Sequence, residues 1–304
     1  MSEVTERSSG ADAQRDVERW RLTETTNDQA HAMIAEKVAQ NRVDIGQDGA
    51  NIFNTHKGRL KERVHIQRSI QRVHQERGVF NGVGADLGAG SGLCTAFVSQ
   101  IPEVDTVIAV DYSDDFVDFT MPKVFEALGA DQSKINRVVG DFNNLEMPDG
   151  SLDFVVELGG FHHSEDIDRT LSELHRVLKV GGTAVLIETS NPDWMSNADL
   201  ERLLDKRKFV VNEAGERVLG DVTWRSLGIH EYRFSDWVSM LEKHGFEIEV
   251  PGIWDFHYRI SARLWRIPKV RGVAALIYYL RLGLFSHWRR GLRKTNCIFL
   301  ATKV

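Results

Sequence analysis

The stretch ADLGAGSGLCT, residues 85–95, constrains the fold of this chain more than any other part of it. Gly88, Gly90 and Gly92 stand at alternate positions directly behind the apolar run Val83–Leu87. That arrangement predicts a strand, a turn free of side-chain bulk and a helix opening near Ser91, with something drawn very close to the loop backbone. A dinucleotide fingerprint places glycines at the first, third and sixth positions, whereas the sixth position counted from Gly88 is Leu93 and Gly92 is the fifth. A nicotinamide-linked oxidoreductase is disfavoured on that count.

Strand and helix signals then alternate. Val83–Leu87, Thr106–Asp111, Ile135–Asp141, Leu152–Leu158 and Thr183–Glu188 read as strands, with helices expected over 92–100, 114–128 and 166–178, the last closed by Gly181 and Gly182. Such alternation predicts a mostly parallel α/β sheet with helices on both faces. Ligands of such sheets bind beyond the carboxyl ends of the strands. Further on, helices are expected over 197–208 and 234–244 and strands at Phe246–Val250 and Cys297–Thr302.

At 304 residues, 42% hydrophobic and 27% charged, the chain suits one large α/β domain with additions. Its only cysteines, Cys94 and Cys297, fit no zinc or redox spacing and read as small buried hydrophobes in a reducing, cytoplasmic setting. No secretory signal and no membrane-spanning run is visible. The expected organisation is a disordered start over 1–17 and a helical cap over 18–80. Within the cap, Met33, Ile34, Val38 and Ile45 precede a charged helix over 57–77 carrying Leu60, Val64, Ile66, Ile70 and Val73. The core covers 81–250, an insertion 251–295 and a final core strand 296–304.

About 20 residues beyond the glycine loop, VIAVDYSDD ends the second strand at Asp111, where a carboxylate accepts both hydroxyls of a ribose. VVGDFNNL puts Asp141 at the end of the third, a partner for the amino group of an adenine with the Phe142 ring beside the base. Together with VVELGGFHH and ELHRVLKVGGTAVLIE, these motifs resemble the class I S-adenosylmethionine-dependent methyltransferases, most closely the small-molecule, type 11-like branch, over about residues 80–190. The resemblance implies a Rossmann-like fold whose seven-stranded, mostly parallel sheet ends on an antiparallel strand, and S-adenosylmethionine as cofactor. It places Gly88, Ala89 and Gly90 under the methionine part, with Asp86 near the amino group, and Asp111 with Tyr112 at the ribose. Asp141 and Phe142 fall at the adenine, and Leu158 and Phe161–His163 form the floor where donor meets acceptor.

Methyl transfer needs collinear placement of acceptor and donor, and a base only where the acceptor must lose a proton. His163, then His162, are the candidates, with His230 in GIHEYRFS in reserve beside Glu231 and Tyr232. No metal is expected. SNPDW, residues 190–194, is a turn rather than an amine-positioning motif, since it follows the fifth strand and not the fourth; no nucleic-acid partner is expected.

Between Gly252 and Lys294, ten basic residues face one acid, Asp255, around the apolar run Val273–Leu280, with Trp265 and Trp288 near its ends. This segment reads as a lid or homo-oligomer contact, or as a peripheral contact of residues 265–294 with the inner membrane surface. The expected function is methyl transfer to a small-molecule or lipid-carried acceptor, most simply at a hydroxyl oxygen. The alternative is a catalytically silent cofactor-binding protein acting through the insertion.

Overall fold

The computed structural model describes residues 16–22, 59–211, 217–253 and 295–304. Its centre is an eight-stranded sheet formed by β1 (Glu18–Arg19), β2 (Gly82–Leu87), β3 (Val104–Asp111), β4 (Ile135–Val139), β5 (Leu152–Leu158), β6 (Leu178–Ser190), β9 (Phe246–Ile253) and β10 (Thr295–Lys303). A separate antiparallel hairpin, β7 (Arg207–Val211) and β8 (Arg217–Thr223), stands apart. The sheet order is β1-β4-β3-β2-β5-β6-β10-β9. β2 lies at the switch point, with β3 on one side and β5 on the other, so the turn leaving β2 opens into the crevice where such sheets bind ligands. β10 runs antiparallel to both β6 and β9, and the remaining sheet pairings are parallel, as the sequence implied.

The helices are α1 (Arg59–Arg77), α2 (Leu93–Val98), α3 (Met121–Leu128), α4 (Ile167–Val177), α5 (Asn197–Leu204) and α6 (Phe234–Lys243). Strand alternation splits the apolar residues into two layers. Ile70 and Val73 of α1, Phe97 of α2 and Met121 and Phe125 of α3 share one layer with Val107, Ala109, Phe154 and Val156. Leu171, Leu174 and Val177 of α4 and Trp237 and Leu241 of α6 share the other with Ala85, Leu87, Val155 and Phe299. Because both faces are covered, the central strands are apolar nearly throughout.

The structure departs from the sequence reading in four places. Glu18–Arg19, expected within a helical cap, pairs in parallel with Val138–Val139 as an eighth, edge strand. The expected helix over 114–128 opens with a π-helical turn, Phe116–Thr120, before α3. The expected helix over 197–208 stops at Leu204, and β7 and β8 follow. α4 ends at Val177 because Leu178 already takes extended dihedrals, which leaves Gly181 and Gly182 inside β6 rather than at a helix cap. Met33, Ile34, Val38, Ile45, the side chain of Leu60 and the basic insertion, with Trp265, Val273–Leu280 and Trp288, lie outside the described residues. Among the described residues no helix is long and apolar enough to cross a membrane.

Candidate active site

β2 ends at Leu87 and the chain turns through three left-handed glycines, Gly88 (φ 69°), Gly90 (φ 54°) and Gly92 (φ 78°), into α2. They serve different ends. A Cβ on Gly92 would lie 2.5 Å from the buried Phe125 ring, so this glycine lets α2 seat against α3. A Cβ on Gly90 would meet nothing within 4 Å, leaving open space over the loop. Beneath the loop, Asp86 is 1% exposed and its Oδ2 accepts from the Thr95 N–H (2.8 Å) and hydroxyl (2.6 Å), tying β2 to α2. Burial lifts the Asp86 carboxyl to about 7, against the two Thr95 hydrogen bonds.

Asp111, the last residue of β3, braces the loop. Its Oδ2 accepts from the Gly90 N–H (2.7 Å) and its Oδ1 from the Ser113 N–H (2.9 Å), while burial raises its pKa. Each carboxylate oxygen takes about two hydrogen bonds, so one acceptor position per oxygen remains for a pair of hydroxyls. Tyr112 is exposed beside it. β4 stops at Val139, and Gly140 donates to the Asp111 carbonyl (3.0 Å), which links the two loops. Asp141, 6% exposed, accepts from the Asn143 N–H (2.7 Å). The Phe142 ring meets Phe161 edge-on at 5.5 Å and lies 3.5 Å from where a Gly88 Cβ would sit.

The floor comes from β5 and the short 3-10 turn Phe161–His163. Leu158, the last residue of β5, and Ala89 in the glycine loop are half-buried. Two fully buried carboxyls at the ends of neighbouring strands organise the turn. Glu157 on β5 accepts from the backbone N–H groups of Gly160 and Phe161 (3.2 Å for the latter). Burial, then the nearby Glu188, pushes the Glu157 pKa well above the carboxylate range. Glu188 on β6 accepts from the His162 N–H (3.1 Å) and faces His162 Nδ1 at 2.8 Å. The His162 ring is thereby oriented through Nδ1 by a buried carboxyl from the neighbouring strand.

His163, the foremost candidate from sequence, is exposed, its ring 4.5 Å from that of His162. His230 is half-buried; its N–H donates to the His162 carbonyl (2.8 Å), and burial with the nearby His162 lowers its pKa. Tyr232 stacks on His230 at 6.3 Å, and Glu231 accepts from buried Asn191 at 2.6 Å. The Pro192–Met195 turn expected of SNPDW is present (3.1 Å). The buried Ser190 Oγ and Asn191 Oδ1 at the end of β6 have no hydrogen-bond partner. The structure therefore gathers the glycine loop, Asp111, Asp141, Phe142, Leu158 and His162 at one sheet edge, and adds Glu157 and Glu188. These two were readable only as acids inside runs, FVVELGG and VLIETS, that a parallel sheet buries.

Residues 85–186 match the family described as "Methyltransferase domain". A demethylmenaquinone methyltransferase of Staphylococcus saprophyticus is 35% identical over 124 residues, covering 40% of this chain and 51% of that protein. A chloroplastic 2-methyl-6-phytyl-1,4-hydroquinone methyltransferase of Oryza sativa is 29% identical over 151 residues, 49% of this chain and 44% of that protein. The chain thus spans about half the length of these curated relatives. The YcgJ protein of Bacillus subtilis superposes with a TM-score of 0.52 at 19% identity, over 79% of this chain and 98% of that one. A geranyl diphosphate C-methyltransferase of Streptomyces coelicolor, solved with S-adenosyl-L-homocysteine, gives 0.50 at 14% identity, over 78% and 76%. The site fits that class of cofactor: open space over Gly90, two spare acceptor positions on Asp111 and an aromatic ring beside Asp141 suit a methionine tail, a ribose and an adenine in turn. Residues 85–186 thus match a methyltransferase domain in sequence and lie on a Rossmann-like sheet.

Proposed function

We propose that the protein transfers a methyl group from S-adenosylmethionine to a small-molecule acceptor carrying a ring or chain hydroxyl, with His162 as the base. The observation that carries this reading is the His162–Glu188 contact at 2.8 Å at the floor of the site. The cofactor supplies an electrophilic methyl group. Gly88, Ala89 and Gly90 hold its methionine part, Asp111 and Tyr112 its ribose, Asp141 and Phe142 its adenine. Glu188 orients the His162 imidazole and steadies the cation formed when the ring takes the hydroxyl proton, a contribution of about 10²- to 10⁴-fold in rate. His230, kept neutral by burial, offers a second ring nitrogen to the acceptor. Removal of a hydroxyl proton serves transfer to that oxygen, the outcome the sequence favours. It serves equally transfer to an adjacent ring carbon, the chemistry printed in the name of a 28% identical Geobacter C-methyltransferase. Hydroquinone and menaquinone names among the relatives favour a phenolic, lipid-carried acceptor, to which residues 265–294 would give access at a membrane surface.

The test is incubation with methyl-deuterated S-adenosylmethionine and a host extract, followed by mass spectrometry of organic and aqueous fractions. Label in the organic fraction is expected, with fragmentation locating it on oxygen or carbon. His162→Gln and Glu188→Gln are each expected to lower labelling by about 100-fold or more. Cofactor binding without labelled product in either fraction favours the silent binding protein.

A further inference from the structure

We propose that Glu18–Arg21 forms a clip that belongs to the cofactor site, with Trp20 as the positioning residue that holds the ribose-side and adenine-side loops against each other. The inference rests on S-adenosylmethionine being the cofactor. β1 is only two residues long and sits at the sheet edge, so its ladder alone contributes little. Its contacts are nonetheless concentrated on two loops. The Trp20 N–H donates to the carbonyl of Val139, the last residue of β4 (2.9 Å). The Trp20 indole, 7% exposed, fills the notch left by Gly140, where a Cβ would come within 2.6 Å of the ring. Gly140 is the residue whose N–H reaches the Asp111 carbonyl, and Asp141 and Phe142 follow it directly.

The flanking residues reach outward to the same two loops. Arg19 spans Asp114 (3.0 Å) and Asp118 (2.7 Å), just past Asp111. The Arg21 N–H donates to Glu146 (2.8 Å), and its carbonyl accepts from Asn144 Nδ2 (3.3 Å). These polar contacts are exposed, and each alone contributes little. The buried indole in the glycine notch supplies the adhesion, and the polar contacts set its register. Loops beyond strand ends are among the first parts of a fold to open, and holding two of them in their bound arrangement lowers the ordering cost of binding. Coupling of this kind is reciprocal: cofactor binding must also hold the clip in place.

Titration calorimetry of the full chain with S-adenosylhomocysteine tests the clip, with thermal unfolding of each ligand-free variant run alongside. Trp20→Ala is expected to weaken binding about tenfold, with Trp20→Phe recovering part of the loss. Gly140→Ala, which pushes the ring out of its notch, is expected to weaken binding in the wild-type background and to add little to Trp20→Ala. Should Trp20→Ala not fold, Arg19→Ala at its exposed position keeps the test open, with a loss of about threefold expected at low salt. The clip is overturned if Trp20→Ala, or in its stead Arg19→Ala, binds as tightly as the wild type, or if the Gly140→Ala penalty is the same with and without Trp20. A wild-type chain that does not bind S-adenosylhomocysteine overturns the cofactor reading instead.

Discussion

Gly90 and Gly92 look alike in the sequence, both glycines of one short loop, yet a single methyl group separates their roles. At both positions an alanine takes on left-handed strain of roughly 1–2 kcal/mol. At Gly92 the added carbon also meets the fully buried Phe125 ring at 2.5 Å, so Gly92→Ala is expected to cost about 2–4 kcal/mol in denaturant midpoint against roughly 1–2 for Gly90→Ala. Gly90→Ala is expected to show itself chiefly as weakened S-adenosylhomocysteine binding. Asp86 gives a prediction in pH. Its carboxyl is lifted from 3.8 to about 7 in the folded state, so the folded protein binds one more proton than the unfolded chain between those values. Stability from this group is full below pH 3.8 and is lost as pH rises through about 7, a fall of about 3 kcal/mol between pH 5 and 8. Asp86→Asn, whose amide oxygen still accepts from Thr95, is expected to flatten that part of the urea midpoint's dependence on pH. At this scale the glycines, Asp111, Asp141 and Phe142 were legible as candidates because their spacing is itself the signal, and the structure brings them together at the ends of neighbouring strands. The contact of His162 with Glu188 was not legible, because that partner arrives from another strand and leaves no local pattern.

Among the elements, the apolar strands and α4 were legible because their side chains repeat with the period of the structure they form. In α4, Thr170, Leu171, Leu174 and Val177 are buried, and Asp166 caps the helix by accepting from the Arg169 N–H at 3.0 Å. β7 and β8 were not legible. The run RKFVV continues a helical stripe from α5 and mixes basic residues with apolar ones, and only pairing with Arg217–Thr223 decides for a hairpin. β1 escaped for a related reason: two residues have no period, and their strand conformation is imposed by the open edge of β4. β10 shows how much one element contributes. Phe299 is fully buried, stacks on Phe234 at 5.5 Å and lies 6.4 Å from the Trp237 ring, joining β10 to α6. Phe299→Ala is expected to cost about 3–5 kcal/mol, read as a lowered chemical denaturation midpoint.

For the molecule as a whole, two apolar layers clamp one sheet, and every group assigned to the cofactor sits where the strands emerge from between them. Chemistry at that edge depends on distant registers being right, since Glu188 reaches His162 only if β6 pairs correctly with β5 on one side and β10 on the other. The placement of β10 between β6 and β9 also has a history in time. On the ribosome the chain emerges from its N-terminal side, so β6 and β9 are both made before the strand that joins them, with residues 254–294 still to be synthesised in between. During that interval the nascent chain carries two unpaired edges, β6 and β9, of the kind that pair with other chains when left open. The pairing of Thr302 with Thr183 that closes this gap therefore comes last, after every other strand of the sheet has been made.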